Sequence, residues 1–371
     1  MNKKKIMSIF GTRPEAIKMA PVVKELEKSP DFESVVVITA QQREMLDQVL
    51  SVFKIKPDYD LDIMLPNQTL SQITSRVLEK LDPILAEEKP DIILVHGDTT
   101  TSFVASLGAF YHQISIGHVE AGLRTWDKYA PYPEEMNRQM TDCLSDLYFA
   151  PTELSKKNLL ASNIDEAKII VTGNTVVDAL SETTLHGFTH PVTKNLKKNS
   201  KKILLTCHRR ENFGEPMRNI FKAVVEMVET YEDIEVIYPV HPNPNVKKLA
   251  EEMFEKQERI HLVEPMDVID FHNCMKESYF IMSDSGGIQE EAPSLGKPVL
   301  VLRDVTERPE GLETGVLKLV GTNTQTILSA VKDLMEDTRY YKSLSTKGNP
   351  YGDGLASKRI AKALKEYKGI Q

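Results

Sequence analysis

The chain has 371 residues, 41% hydrophobic and 27% charged, the proportions of a globular protein long enough for two domains. Its formal net charge of −8 argues against a nucleic acid or an anionic membrane surface as partner, and no apolar run is long enough to span a bilayer. Three widely spaced cysteines (Cys143, Cys207, Cys274) exclude a disulfide framework, and the opening residues do not read as a secretory leader, so a cytoplasmic setting is expected.

Short β-rich runs alternate with amphipathic helical stretches along the whole chain. The first half predicts strands at residues 6–10 (IMSIF), 34–39 (SVVVIT), 91–96 (DIILVH), 114–119 (ISIGHV), 146–150 (DLYFA) and 168–173 (KIIVTG). The second predicts 201–207 (KKILLTC), 234–240 (IEVIYPV), 259–263 (RIHLV), 278–283 (SYFIMS), 298–302 (PVLVL) and 316–320 (VLKLV). Near-continuous apolar segments between helical patterns read as parallel strands buried on both faces. Two such sets predict an α/β protein of two doubly wound, Rossmann-like domains facing a central cleft. The expected divisions are residues 1–173, residues 174–352, and a C-terminal helix within 353–371 that packs back on the first domain. The polar stretch 190–202 reads as a surface loop before the second sheet.

Polar residues gather at the carboxyl ends of the predicted strands, the edge where open α/β sheets bind ligands. His96, His118, His208 and His241 fall there, as do Asp98, Glu120 and Asp284. In residues 10–15 (FGTRPE), Thr12 and Glu15 form a capping box and Pro14 suits the first helical turn. Arg13 has no such explanation, because a cation at a helix start opposes the dipole, and it reads as a phosphate ligand. Asp98 fits either a helix cap or acid/base work; Glu120 has no capping role. Glu134 and Arg138 stand one turn apart, which suits an intrahelical ion pair or a carboxylate tuned by a cation. Together Asp98, Glu120, Glu134 and Arg138 look like acid/base machinery.

In the second half, Cys207 beside His208 lacks the partners of a nucleophile or a metal site, so Cys207 reads as a small core residue. His208, Arg209 and Arg210 read as an anion grip. His241, in the loop PVHPNPN, is equally open to a structural or a ligand-contacting role. Phe271 is either core or a ring that stacks on a base. The strand ending in Ser-Asp-Ser-Gly-Gly (283–287) runs into a helix whose free N–H groups can hold a phosphate, and Glu290 and Glu291 could then accept from sugar hydroxyls. No G-x-G-x-x-G or P-loop lysine supports a dinucleotide or NTPase reading.

With these motifs in place, the chain closely resembles the bacterial non-hydrolysing UDP-N-acetylglucosamine 2-epimerases over essentially its whole length. The resemblance rests on FGTRPEAIKMAP, GDTTTSF, HVEAGLRT, PYPEEMNRQ, VTGNTVVDAL, HRRENFG, PVHPNPNV and SDSGGIQEEAPSLGKPVLVLRDVTERPEG. It implies the GT-B-type pair of Rossmann-like domains, a homodimer, no NAD and no metal, and interconversion of UDP-GlcNAc and UDP-ManNAc for cell-envelope polysaccharide. By match to the family's motifs, Asp98, Glu120 and Glu134 would serve the proton transfers, Arg138 would tune them and His208 would assist the leaving UDP. Arg13, Lys18, Phe271, Ser285, Gly286, Gly287 and Glu291 would bind UDP. Some members also bind a second UDP-GlcNAc as activator, at positions that match Gln41, Gln42, Arg43, Glu134, Arg209 and His241 here. Many relatives have Gln-His-Arg where this chain has Gln41-Gln42-Arg43, and Val305 replaces a commoner Thr. The rival readings are a hydrolysing epimerase that releases ManNAc, a glycosyltransferase of the same fold, and a nucleotide-sugar sensor.

Overall fold

The computed structural model describes residues 3–41, 43–185, 187–188, 190–194 and 196–369. The chain divides into two compact units, Met1–Ser181 with Tyr351–Gln371, and Glu182–Pro350. Among the described residues, the first unit carries a seven-stranded sheet: β1 (Lys4–Phe10), β2 (Phe32–Ile38), β3 (Tyr59–Asp60), β4 (Ile92–His96), β5 (Ser115–Val119), β6 (Leu147–Ala150) and β7 (Ile169–Val171). Their spatial order is β3-β2-β1-β4-β5-β6-β7. The second unit carries β8 (Lys201–Thr206), β9 (Ile234–Pro239), β10 (Ile260–Val263), β11 (Phe280–Ser283), β12 (Val299–Val301) and β13 (Leu317–Leu319), in the order β10-β9-β8-β11-β12-β13. Neighbouring strands pair in parallel, from β1 with β2 and β4 to β8 with β9 and β11. Both units are doubly wound α/β folds. Each predicted strand overlaps an observed one. The addition is β3, whose two residues are too few for any period to register.

Alternation explains why these runs become strands covered on both sides. In β1, Ile6 and Phe10 enter one core cluster while Met7 and Ile9 enter another. In β8, Ile203 and Leu205 face one way and Leu204 the other. Successive side chains point to opposite faces, so a strand between two helical layers must be apolar at every position. Burying a side chain such as Phe10 contributes about 1.5–3 kcal/mol relative to leaving it in water.

The stretch 190–202 is not wholly loop: Pro191–Lys194 forms a single helical turn, and Lys201 and Lys202 already pair with Ile234 and Glu235 of β9. Backbone pairing does not require apolar side chains, and the two ammonium groups are met by Asp233 and Glu277. The helix Ala356–Glu366 belongs to the first unit, where Ile360 and Leu364 join the cluster of Phe10 and Met19. Among the described residues no helix is long and apolar enough to cross a membrane.

That last helix has a cap from a distant part of the chain. Asp178 accepts hydrogen bonds from the amides of Ala356 and Ser357 at 3.2 and 2.8 Å. Removing a capping carboxylate costs about 1–2 kcal/mol. Asp178→Ala should therefore speed amide hydrogen exchange across Ala356–Glu366 by roughly five- to thirtyfold, with β4 unaffected. Unchanged protection of the helix would show that the cap contributes nothing.

Candidate active site

In the first sheet the strand order reverses between β1 and β4, so the loops after them leave toward opposite faces and open a crevice at the carboxyl edge. Thr12 caps the helix Arg13–Lys28, and Glu15 returns the bond, accepting from the amides of Gly11 and Thr12 at 3.0 and 2.8 Å. The other Glu15 oxygen accepts from the hydroxyls of Thr99 (2.7 Å) and Ser102 (3.0 Å), which ties the two loops together. Gly11 has to remain without a side chain, since a Cβ there would lie 1.8 Å from Thr39 Oγ1.

Glu120 follows β5 in a left-handed backbone conformation, φ +66°, which costs a non-glycine residue about 1–2 kcal/mol. Its side chain is 9% exposed. Lys18 donates to Glu120 Oε2, Asn174 Nδ2 donates to the same oxygen at 2.8 Å, and His96 Nε2 stands 3.7 Å away. Burial alone would raise this carboxyl. Lys18 and then His96 outweigh it and hold Glu120 well below the usual carboxylate range.

The neighbouring carboxylate, Asp98, receives Arg138 Nη2 at 2.5 Å, and its backbone carbonyl accepts from Asn137 at 3.0 Å. Arg138 also reaches Glu135, whose carboxylate takes the amides of Thr125 and Trp126. Asp98 is therefore not the helix cap, a role that falls to Thr99. The Glu134–Arg138 pair does not form either, because Arg138 turns to Asp98 and Glu135. Glu134 opens the helix Glu134–Leu144. His118 is fully buried between the Gly97 carbonyl (2.7 Å) and Asp142 (2.6 Å), so it braces the loop that bears Asp98.

The second sheet repeats the device, with its reversal between β8 and β11. Asp284, fully buried after β11, accepts from the amides of His208 and Arg209 at 2.9 and 2.8 Å and from Asn212 at 3.0 Å, fixing the loop after β8. The His208 ring stacks on His241 at 5.3 Å between centroids. Burial pushes His208 below its ordinary value; Asp284 opposes this, while His241 and Arg209 add to it. The imidazole is thereby biased toward its neutral form.

Ser285 precedes the short helix Gly286–Glu291. A Cβ on Gly286 would sit 3.4 Å from Arg308 Cζ and 3.5 Å from Arg209 Nη2, so two guanidinium groups converge on a backbone with no side chain in the way. Glu290 does not face outward as a sugar acceptor: it is buried and holds Arg308 at 2.8 Å. Glu307 also faces Arg308, and although burial would raise its carboxyl, Arg308, Arg303 and Arg209 together lower it. Glu291 lies beside Gly287, 3.5 Å from His272 Nε2. Phe271 packs partly buried against the core of this unit.

Lys18, expected on the nucleotide, pairs here with Glu120, and Arg13 is the first residue of its helix. Gln41 accepts from Thr101 at 3.0 Å. Arg43 is bound by Asp60 (2.6 Å) and Asp62 (2.9 Å), and Gln42 lies outside the described residues. His241 is exposed apart from its stacking face. Cys207 is buried among apolar neighbours, and burial raises its thiol well above the ordinary value, as befits a core residue. Among the described residues no group of three or more His, Cys, Asp or Glu side chains is placed to hold a metal.

A family profile described as UDP-N-acetylglucosamine 2-epimerase matches residues 24–365. The chain belongs to this family. It is 58% identical to the UDP-N-acetylglucosamine 2-epimerase of Bacillus subtilis, over all of this chain and 97% of that protein. Its fold matches a crystal structure of the Neisseria meningitidis UDP-GlcNAc 2-epimerase bound to UDP-GlcNAc, with TM-score 0.89 and 51% identity over 98% of this chain and all of the other. It likewise matches an S. aureus MnaA–UDP co-structure, with TM-score 0.90 and 55% identity over 98% and 96%.

In this epimerase, sequence reasoning overlooked Asn174, Glu135 and Asp142 as parts of the site. Asn174 carried a readable signal, standing just after β7 at the same carboxyl edge as the other polar residues. Glu135 stands three residues before Arg138, a readable pairing, but nothing in the spacing of Glu135 or Asp142 reveals the distant partners Thr125, Trp126 and His118.

The Lys18–Glu120 pair gives a signed prediction. The lowered carboxyl contributes stability above the ordinary carboxylate range, and this is lost only as pH falls through the lowered value. In Lys18→Met, burial acts without its largest opponent and raises Glu120, so protonation relieves the strain as pH falls. Breaking one side of a buried pair costs about 3–5 kcal/mol. The variant's thermal midpoint should therefore fall further below the parent's at pH 8 than at pH 5; an equal deficit at both would contradict the pairing.

Proposed function

We propose that this epimerase is non-hydrolysing and interconverts UDP-GlcNAc and UDP-ManNAc by eliminating UDP and adding it back. The proton on sugar carbon 2 is not beside a carbonyl, so a carboxylate cannot simply remove it. As the anomeric C–O bond breaks, its electron pair leaves with UDP and carbon 1 gains oxocarbenium character. The neighbouring proton then becomes acidic, passes to a carboxylate, and its bonding pair forms the C1–C2 double bond of 2-acetamidoglucal. Protonation of carbon 2 on the other face and return of the phosphate oxygen to carbon 1 complete the epimerisation.

On this reading Asp98, Glu120 and Glu134 serve the proton transfers, and Arg138 orients Asp98. Arg209 and Arg308, with the amides of Ser285, Gly286 and Gly287, receive the diphosphate, and Arg13 adds a further cation. His208, biased neutral, assists the departing UDP; Glu291 takes the ribose and Phe271 the uracil. A second UDP-GlcNAc at Gln41, Arg43, Arg209 and His241 acts as activator, exchanging with part of the Asp60–Asp62 hold on Arg43. The protein works as a cytoplasmic homodimer supplying ManNAc units for envelope polysaccharide. One observation carries the reading: Glu120 and Asp98, on loops of one sheet edge, each face a cation, Lys18 and Arg138 respectively. A sensor or a glycosyltransferase has no use for two such carboxylates. The UDP-GlcNAc bound by the Neisseria protein and the UDP bound by the S. aureus protein support the ligand class.

Proton NMR of UDP-GlcNAc with the enzyme in heavy water tests this. The manno isomer should appear carrying deuterium at carbon 2, without a matching build-up of free ManNAc. A manno isomer that keeps its original hydrogen, or stoichiometric free ManNAc, would overturn it. Gly286→Ala places a methyl group among the guanidiniums and should weaken UDP binding by about tenfold, or ~1.4 kcal/mol, in calorimetry; unchanged affinity would move the diphosphate elsewhere.

A further inference from the structure

His96 ends β4, is 4% exposed, and its Nε2 is buried without a hydrogen-bond partner among the described residues. A buried polar group left unpaired in a native site calls for a reason. Glu120 Oε2 stands 3.7 Å away, beyond hydrogen-bond reach. A carboxylate oxygen offers two lone pairs, and Lys18 and Asn174 already occupy both. His96 is thus excluded from Glu120 only while Lys18 is there.

This matters for the chemistry, because a base must bind its proton. A carboxylate held far below its ordinary range by an ammonium group is a poor acceptor for a carbon-bound hydrogen. The charged or titratable groups that bear on Glu120 are Lys18, from the helix Arg13–Lys28, and His96, from β4; Asn174 adds an uncharged donor. Losing Lys18 would lift the carboxyl toward a useful value, but would also leave a lone pair of a buried anion empty. His96 Nε2 can fill it as a donor after a small side-chain rotation.

We propose that Glu120 exchanges Lys18 for His96 during the reaction, His96 acting as a positioning residue that keeps the carboxylate aimed once the ammonium group has turned to an anion. That anion is the diphosphate of the bound nucleotide sugar, so the proposal rests on the reading above. The unliganded enzyme keeps its base quenched, and substrate releases it. Asn174 stays on Oε2 throughout, leaving Oε1, which faces the bare backbone of Gly97, as the oxygen that meets the sugar proton.

The pH dependence of kcat/KM reports the free enzyme and that of kcat the substrate complex. In the parent protein the acid limb of kcat should lie above that of kcat/KM, because Glu120 rises when Lys18 leaves. In His96→Phe the carboxylate loses its replacement donor in the complex: kcat should drop by about tenfold or more and its acid limb should move higher, by more than the limb of kcat/KM, which Lys18 still holds down, while the affinity for UDP stays within about twofold. His96→Gln, which can place an amide N–H near the Nε2 position, should restore most of kcat. Coincident acid limbs in the parent, or a His96→Phe enzyme with parental kcat and pH profile, would overturn the exchange. A parent enzyme that incorporates no deuterium at carbon 2 would instead refute the elimination reading.

Discussion

A carboxylate removed from water remains ionised only if donors and cations take the place of the solvent it has lost. Glu120 is the group under that constraint, and much of the first unit is organised around it. Lys18 comes from the helix after β1, His96 from the end of β4, Glu120 from the end of β5 and Asn174 from just after β7. Parallel strands deliver all four to one edge, and the reversal between β1 and β4 opens the crevice there. The capping box at Thr12 and Glu15 sets the register of the helix that carries Lys18, and the bonds from Glu15 to Thr99 and Ser102 fix that helix against the β4 loop. A helix cap thereby helps place the cation that holds Glu120.

The second unit solves the opposite electrostatic problem with the same topology. Its arginines are tied to carboxylates closely enough to keep them ordered, and on the proposed reading they remain able to receive an anion. Asp284 spends its charge on backbone amides and so shapes the His208–Arg209 loop without cancelling the guanidinium. Glu290 and Glu307 hold Arg308 from one side, while Gly286 leaves the backbone side open. The absence of a side chain at Gly286 is as much a part of this arrangement as the arginines.

Much of the fold was legible because parallel strands buried on both faces leave dense apolar runs. The exception, β3, is two residues long and held by pairing with β2 rather than by burial. The site was legible as a set of residues at one edge, but not in its pairing. Asp98 read as either a cap or an acid/base group, because sequence cannot show that Thr99, one residue on, takes the helix amide instead. Glu134 and Arg138 read as partners at one-turn spacing, whereas Asp98, from the loop after β4, and Glu135, three residues before Arg138 on the same helix, win the guanidinium. Lys18 read as a nucleotide ligand through the family resemblance alone; that it also lies against Glu120, a hundred residues further along, follows only from the sheet order. Glu290 and Glu291 are adjacent and look equivalent, yet a helix turns them to different sides, one into Arg308 and one toward His272.

The ionisation of Glu120 in the unliganded enzyme can be observed directly. Infrared difference spectra between the parent protein and Glu120→Gln, recorded from pH 8 to pH 4, isolate the stretching bands of this one side chain. A carboxylate band that persists to the acid end of that range is the result expected of a buried anion clamped by Lys18 and Asn174. A protonated carboxyl band already present near neutral pH would mean that burial dominates, and the electrostatic account of this active site would be wrong at its centre.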